Sequence, residues 1–268
     1  MHANKLYHAL LDVGGTFIKR PDGSQVPIDS NGSADDIASA LIKAIGPLQL
    51  FNGIGVCIPG PFDYREGRFL MQHKFAAVYG KLFRELARIP DWMEVRFGHD
   101  VNVPLGGACR MLGLYGGNTA LVTLGTGLGF SYAVRGTVQT TPEGSPVRDL
   151  WNVPWGSGIL EDAISARGVR NAYEALTGDG SQSAYTVAQK AFAGEEAALE
   201  VYSGMGQLLG DALAPLLAEL EVDTLLMGGQ VSKSLSLMIR PLQNALDDVQ
   251  ITPLPDGAVF AGLEALFD

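Results

Sequence analysis

Three glycine-rich turns along the chain each follow a short apolar stretch that has the pattern of a buried strand. They lie in ALLDVGGTFIK (residues 9–19), LVTLGTGLGF (residues 121–130) and TLLMGGQVSK (residues 224–233). Glycine lacks a β-carbon, so the backbone N–H groups of such turns can approach a phosphate group closely. One such turn alone is more often structural, because glycine is abundant here, at 34 of 268 residues. Together they indicate a phosphate site, since all three follow apolar strands and threonine flanks the glycines of the first two.

The usual phosphate-binding motifs do not fit these turns. The chain has no G-x-x-x-x-G-K-[ST] sequence. GTGLGF is followed by SYAVRG, which has the pattern of a strand, and not by the helix that a dinucleotide-binding G-x-G-x-x-G motif opens. Asp12 stands at the end of the first apolar strand, and a carboxylate near phosphates usually holds Mg²⁺, often through water. The sequence therefore favours a different kind of phosphate site.

Strand and helix patterns alternate along the chain, as they do in α/β proteins. HALLDVGGTFIKR near the start and TALVTLGTGLGFSYAVRG in the middle both have the order strand, glycine turn, strand. This partial repeat predicts two related α/β lobes that meet across a cleft, an N-terminal lobe at residues 1–115 and a C-terminal lobe at residues 116–268. We expect the last helix to pack back on the N-terminal lobe.

Several helices are predicted from their caps and periodicity. Ser33 begins a capping-box pattern with Asp36, which predicts a helix to about Ile45 with Ile37 and Leu41 on its buried face. GKLFRELARI has the pattern of an amphipathic helix, and GILEDAISARGVRNAYEAL reads as one helix.

Charge and cysteine content exclude several classes of function. The net charge is −10 and no Lys/Arg-rich stretch is present, which argues against nucleic-acid and anionic-membrane partners. No apolar stretch approaches the roughly 18 residues of a membrane span, and the N-terminal residues lack the pattern of a signal peptide. Cys57 and Cys109 lie far apart in apolar contexts, as buried thiols of a reduced protein do. We expect a cytoplasmic protein.

Six motifs carry a resemblance to a known family. LLDVGGTFIK resembles the first phosphate motif of sugar kinases with the actin-like, ribonuclease-H-like fold. GVCIPGPFDYREG, FGHDVNVPLGGA, LVTLGTGLGFSY, GILEDAISARG and LLMGGQVSKS are similar, in this order, to the successive blocks of the ROK family (repressor, open reading frame, kinase). Each block is weak to moderate alone, but the ordered set covers nearly the whole chain. The resemblance implies an α/β fold of two actin-like lobes around a central cleft.

The resemblance also implies roles for the glycine turns. One phosphate hairpin would comprise Gly14, Gly15 and Thr16, with Lys19 at the family's motif lysine and Asp12 holding Mg²⁺ through water. The facing hairpin would comprise Gly125, Thr126 and Gly127, while Gly228 and Gly229 would let adenosine lie against the backbone. For Lys19 a solvated strand charge remains an equally good interpretation.

The block FGHDVNV supplies the catalytic candidate. Asp100 matches the aspartate that takes the proton from the attacking sugar hydroxyl in this family, and a helix N-cap is its structural alternative. His99 stands where the family usually has the asparagine that bonds a sugar hydroxyl. Glu161 falls at the sugar-binding glutamate, although a first-turn helix acid would look the same. Weaker sugar-side candidates are Gly60, Asp63 and Asn102.

One departure from the family concerns zinc. Many members carry a Cys-rich zinc loop with a nearby Gly-His, whereas the matching NVPWGSGILED has no cysteine, and all four histidines lie in the first half. Tetrahedral zinc needs four suitable ligands, so we expect a member without the zinc-binding motif. The candidates to replace the family's histidine at the sugar are Trp151, Asn152 and Trp155.

The resemblance implies a glucokinase-like enzyme that phosphorylates a hydroxyl of a hexose or amino sugar with ATP and Mg²⁺. A polyphosphate donor is an alternative, which the net charge of −10 disfavours. A non-catalytic sugar-binding protein is another, because the sugar-side residues deviate. The family's repressors carry an N-terminal helix-turn-helix, for which a phosphate motif starting near residue 9 leaves no room. The expected partner is a small sugar, and a homodimer is compatible with the sequence.

Overall fold

A computed structural model describes residues 7–268. Its strands are β1 (Tyr7–Val13), β2 (Phe17–Lys19), β3 (Gln25–Pro27), β4 (Phe51–Ile58), β5 (Phe62–Asp63), β6 (Arg68–Phe69), β7 (Glu94–His99), β8 (Asn118–Leu124), β9 (Leu128–Val134), β10 (Thr137–Val138), β11 (Pro154–Trp155), β12 (Gly158–Ile159), β13 (Val222–Gly228) and β14 (Gln250–Pro253). Its α-helices are α1 (Ala34–Ile45), α2 (Phe83–Leu86), α3 (Asn102–Leu112), α4 (Leu160–Ile164), α5 (Ala166–Thr177), α6 (Ala184–Phe192), α7 (Glu196–Glu219), α8 (Leu235–Ala245) and α9 (Ala258–Glu264).

The chain forms two compact units. The first contains the described residues up to Leu112, together with Gln139–Val147 and Pro255–Asp268, and the second contains Gly113–Val138 and Arg148–Leu254. Each unit has its own core: an aromatic-rich cluster around Phe69, Phe75 and Phe83 in the first, and a largely aliphatic cluster against α7 in the second. None of the helices in the described part of the chain is long and apolar enough to cross a bilayer.

The two main sheets have the same topology. The strand order is β3-β2-β1-β4-β7 in the first unit and β10-β9-β8-β13-β14 in the second. In each sheet the first three strands are antiparallel and the last three are parallel. The glycine turns after β1 and β8 therefore occupy equivalent places. The predicted repeat of an α/β unit is confirmed, and so is the actin-like fold class.

Local sequence signals explain where several elements begin. Ser33 caps α1, because its Oγ accepts a hydrogen bond from the Asp36 backbone N–H at 3.2 Å. Ile37, Leu41 and Ile45 are buried along the same face, so the prediction for this helix is confirmed.

Two helix predictions are wrong in extent. GKLFRELARI forms only the single turn α2 before Arg88 adopts a left-handed backbone with φ of 53°. GILEDAISARGVRNAYEAL divides into α4 and α5 at Ser165, which has an extended backbone. The break lets the N–H of Ala166 leave the helical pattern and donate to the carbonyl oxygen of Gly125 at 2.8 Å. A tertiary contact thus overrides the local periodicity.

Glycines explain how α9 joins the first unit. A β-carbon on Gly107 of α3 would overlap the carbonyl oxygen of Ala258, and one on Gly262 of α9 would overlap the carbonyl oxygen of Val103. The backbones of helices α3 and α9 are consequently in direct contact. Only glycine permits so short a distance between the helices at these two positions.

Candidate active site

The parallel strands of the first unit bring the predicted polar residues to one edge. Strands β1, β4 and β7 run in the same direction, with Asp12 beside Cys57 and Ile58 beside His99. Their carboxyl ends share one edge of the sheet, where α/β proteins commonly bind ligands. Asp100 follows β7 directly.

Cys57 is buried on the strand next to Asp12. Burial raises the pKa of Cys57 well above its ordinary value, and the negative charges of Asp12 and Asp100 raise it further. The charges of Asp12 and Asp100 therefore act on the same buried group.

Lys19 pairs with Asp12. Its ammonium lies 3.2 Å from Asp12 Oδ2 across the β1–β2 ladder. The motif lysine is thus placed at the strand end that carries the predicted Mg²⁺ residue, where it balances the charge of the carboxylate.

The first glycine hairpin is held by backbone hydrogen bonds. Gly14 N–H donates to the Phe17 carbonyl at 2.9 Å, Ser30 N–H to the Gly15 carbonyl at 3.0 Å, and Ile28 N–H to the Thr16 carbonyl at 2.9 Å. The hairpin carbonyls are therefore turned toward the protein, while the Thr16 side chain is exposed. Such an arrangement leaves room for an anion on the outer side of the turn.

His99 stands between Asp100 and Gly60. Its Nδ1 lies 2.9 Å from Asp100 Oδ1 and 3.3 Å from the Val101 N–H. A protonated Nδ1 donates to Asp100, whereas a bare Nδ1 accepts from Val101, so the tautomer decides which partner is bound. A β-carbon on Gly60 would lie 3.3 Å from Nε2. His99 therefore packs directly on the glycine predicted at the sugar side.

Asp100 remains accessible. Its side chain is 44% exposed, and His99 is its one ion-pair partner among residues 7–268. Helix α3 begins at Asn102, so Asp100 stands just outside the helix. This position suits a base that must reach a substrate hydroxyl.

The remaining sugar-side candidates of this unit have structural partners. Asn102 is buried and its Nδ2 donates to the Gly144 carbonyl at 3.1 Å. Asp63 Oδ1 accepts the N–H groups of Arg65 and Glu66, both at 3.0 Å, and so closes the turn after β5. Contact with a sugar stays a prediction for both residues.

Tyr64 is a residue that the sequence did not single out. Its hydroxyl donates to the Ile58 carbonyl at 3.1 Å, and its ring lies 5.6 Å from that of His99. Burial raises the pKa of Tyr64, with a further contribution from the Asp100 charge, so the hydroxyl keeps its proton. The loop at residues 139–147 packs against it, because Tyr64 N–H donates to the Glu143 carbonyl at 3.3 Å. No sequence motif marks this contact.

The second unit collects the other predicted residues around the hairpin between β8 and β9. Gly125 N–H donates to the Gly127 carbonyl at 3.0 Å, and Glu161 Oε2 accepts the Leu128 N–H at 2.9 Å. A β-carbon on Gly127 would lie 2.8 Å from that same oxygen. Glu161, predicted at the sugar, therefore supports the hairpin directly. Trp151 and Asn152 are exposed, and Trp155 is partly buried against the core of this unit.

Gly228 is the last residue of β13, and Gly229 follows it next to this hairpin. Gly229 has a φ of 89°, and a β-carbon there would overlap the carbonyl oxygen of Leu124, the residue before Gly125. Ser232 Oγ donates to the Gly229 carbonyl at 2.8 Å. The structure thus brings the predicted adenosine motif and the second phosphate hairpin together. Ser165 directly precedes Ala166. Its hydroxyl is buried and has no hydrogen-bond partner in the described part of the chain.

The glycines and carboxylates of the two units show what the residues present could hold. A β-carbon on Gly15 would crowd Ser30 Oγ at 3.2 Å, whereas the space beside Gly229 is already filled by the backbone of Leu124. No group of three His, Cys, Asp or Glu side chains able to hold a metal occurs among residues 7–268. Asp12 alone suits Mg²⁺, which is commonly held by one or two carboxylates together with water and phosphate.

Comparisons with known proteins agree with this architecture. No protein-family model matches the chain. A glucokinase from Halalkalibacterium halodurans is 27% identical over 291 aligned positions, which cover 93% of this chain and 88% of the glucokinase.

Solved structures resemble the fold over nearly the full length. A ROK family protein from Streptococcus pneumoniae in complex with sucrose has a TM-score of 0.77 at 17% identity, covering 97% of both chains. A ROK family glucokinase from Streptomyces griseus in complex with glucose and AMPPNP has a TM-score of 0.75 at 18% identity, covering 96% of this chain and 97% of that one. A ROK family transcriptional regulator, a homologue of the E. coli MLC protein, has a TM-score of 0.77 at 17% identity. The alignment covers 96% of this chain and 76% of the regulator. The resemblance found in the sequence is confirmed in three dimensions: the chain has the fold of the ROK family.

Proposed function

We propose that the protein is a sugar kinase, which transfers the terminal phosphoryl group of ATP to a hydroxyl of a hexose or amino sugar. The observation that carries the proposal is the exposed Asp100 carboxylate, which shares one sheet edge with Asp12 and the first glycine hairpin. Support comes from the similarity to a glucokinase over 93% of the chain and from the fold shared with a glucokinase in complex with glucose and AMPPNP.

Asp100 is the general base in this proposal. Its carboxylate accepts the proton of the sugar hydroxyl as that oxygen attacks phosphorus. His99 holds the carboxylate in place through the 2.9 Å contact between Nδ1 and Oδ1. Because His99 also packs against Gly60, it fixes the wall against which the sugar binds.

The phosphate groups of the donor bind at the glycine hairpins. In the first hairpin Gly14 closes the turn with its own N–H, while Gly15 and Thr16 offer backbone N–H groups and a hydroxyl. In the second unit Gly125 closes the turn in the same way, while Thr126 and Gly127 offer these groups. Gly228 and Gly229 accommodate adenosine. Asp12 is the residue to hold Mg²⁺, which when bound neutralises charge on the phosphates.

Location and assembly are further parts of the proposal. Both cysteines are free and buried, which suits a cytoplasmic protein. A homodimer is a prediction that sedimentation analysis of the purified protein would test.

A screen for phosphorylated sugars tests the activity. Purified protein is incubated with a panel of monosaccharides, with ATP and with polyphosphate in parallel. Product on ATP supports the proposal, product on polyphosphate alone identifies the other donor, and sugar binding without any product indicates a non-catalytic protein.

Two substitutions then test the proposed roles of Asp100 and Asp12. Asp100→Asn should lower turnover by at least about 100-fold with little change in nucleotide affinity, since general-base catalysis contributes about 10²–10⁴-fold. Asp12→Asn should weaken binding of Mg²⁺ and nucleotide as well. Asp35→Asn, which removes an exposed carboxylate in the first turn of α1, is the matched control. A folded Asp100→Asn protein that keeps more than about a tenth of the turnover contradicts the assignment of the base.

A further inference from the structure

A second lysine lies against the first glycine hairpin. A β-carbon on Gly15 would lie 3.9 Å from Cδ of Lys74 and 3.2 Å from Oγ of Ser30. Cδ of Lys74 therefore lies beside the bare face of Gly15. Its ammonium group is two bonds beyond Cδ and can therefore reach a ligand at the turn.

Hydrogen bonds join the backbone that follows Lys74 to the first hairpin. Ser30 N–H donates to the Gly15 carbonyl at 3.0 Å, and Phe75 N–H donates to the Ser30 carbonyl at 2.6 Å. Phe75 adopts a left-handed backbone with φ of 54°, and its side chain is fully buried, with its ring 5.6 Å from that of Phe69. A chain of backbone hydrogen bonds thus ties the residue after Lys74 to the hairpin itself.

Lys74 also has a free charge. No carboxylate lies within 4.0 Å of its ammonium in the part of the chain that the structure describes. Lys19, by contrast, is paired with Asp12 at 3.2 Å. In a chain whose net charge is −10, an unpaired cation beside a glycine hairpin is an electrostatic site for an anion.

We propose that Lys74 binds the donor phosphate at the first hairpin. The inference rests on the proposed function, which it deepens by naming the cation of the phosphate site. Backbone N–H groups orient the phosphate oxygens, and a lysine ammonium adds a compact positive charge that stabilises them. The same charge stabilises the transferring phosphoryl group, where negative charge is spread over the equatorial oxygens.

Calorimetric titration tests the proposal directly. The ligands are a non-hydrolysable ATP analogue, inorganic tripolyphosphate and adenosine, each with Mg²⁺, and the proteins are wild type, Lys74→Met, Lys74→Arg and Lys81→Met. Lys81 is an exposed lysine of the same segment, so its substitution removes the same charge away from Gly15. Thermal unfolding of each variant checks that the fold is retained.

Lys74→Met should weaken the binding of phosphate compounds but not of adenosine. Lys74→Met should bind the ATP analogue and tripolyphosphate about 10–100-fold more weakly than wild type, the range expected for one charged hydrogen bond. Its affinity for adenosine should be unchanged, Lys74→Arg should recover much of the loss, and Lys81→Met should behave as wild type.

Three outcomes would overturn the role of Lys74: equal affinities for the phosphates in Lys74→Met and wild type, an equal loss for adenosine, or no binding of either phosphate compound by wild type. The assay of sugar phosphorylation is independent. Phosphate binding that depends on Lys74, in a protein that phosphorylates no sugar, would support the site while refuting the kinase.

Discussion

Glu161 offers a sharp test, because sequence and geometry point to different roles. The resemblance places it at the sugar, whereas the structure shows its Oε2 accepting the Leu128 N–H at 2.9 Å, at the end of the second glycine hairpin. Replacement by alanine removes this acceptor. Replacement by glutamine keeps an acceptor oxygen and removes only the charge.

The expected change in amide exchange follows from the strength of the hydrogen bond between Glu161 and the Leu128 N–H. A bond to a charged group contributes about 1.5–3 kcal/mol, and the lower half of that range applies because the Glu161 side chain is 23% exposed. Since 1.4 kcal/mol corresponds to a factor of ten, Glu161→Ala should raise the exchange rate of the Leu128 amide about tenfold or more. Glu161→Gln should raise it by clearly less.

Hydrogen exchange of the segment around Leu128 measures this effect. Asp162→Asn is the matched control, because Asp162 is the adjacent carboxylate and pairs with Arg167. An unchanged exchange rate in Glu161→Ala would refute the hairpin role. If only the KM for sugar rises in Glu161→Ala, Glu161 acts at the sugar. If the KM for nucleotide rises and the Leu128 amide exchanges faster, Glu161 acts through the hairpin.

Two further predictions concern Gly229 and Cys57. Gly229→Ala should lower the free energy of unfolding by about 1–3 kcal/mol more than Gly194→Ala does. Both glycines have a φ of 89°, but only the β-carbon at Gly229 would meet the Leu124 carbonyl. Equal urea unfolding midpoints for the two variants would contradict this reasoning. Burial raises the pKa of the Cys57 thiol, so above about pH 8.5 the unfolded chain loses a proton that the folded chain retains. The free energy of unfolding should therefore fall as pH rises past that value, and Cys57→Ala should reduce the slope in urea unfolding between about pH 7.5 and pH 10.

The sequence predicted those features that depend on local pattern. The strand before Gly14, the cap at Ser33 and the repeat of the glycine hairpins all follow from periodicity and from residues close together in the chain. The ordered motifs also placed Asp12 and Asp100 in one unit, and the shared sheet edge brings them together.

What the sequence did not predict depends on contacts between distant segments. The helix break at Ser165 follows from the bond between Ala166 and Gly125, and periodicity carries no trace of it. Lys74 lies in a segment without regular pattern, and only the bonds that join its neighbour Phe75 through Ser30 to Gly15 give it a place at the hairpin. Motifs located the glycines and Glu161, but neither Lys74 nor the contact by which Glu161 supports its hairpin.

Those supporting side chains distinguish the two hairpins, although their sheets have the same topology. Gly15 is backed by the unpaired cation of Lys74, whereas Gly127 is backed by the carboxylate of Glu161, which has already taken the Leu128 N–H. Arg167 lies 3.9 Å from Glu161 and offsets its charge only in part, because it also pairs with Asp162. An anion is favoured beside a free cation and opposed beside a carboxylate. We therefore expect the two hairpins of the duplicated fold to bind an anion unequally, with the first preferred.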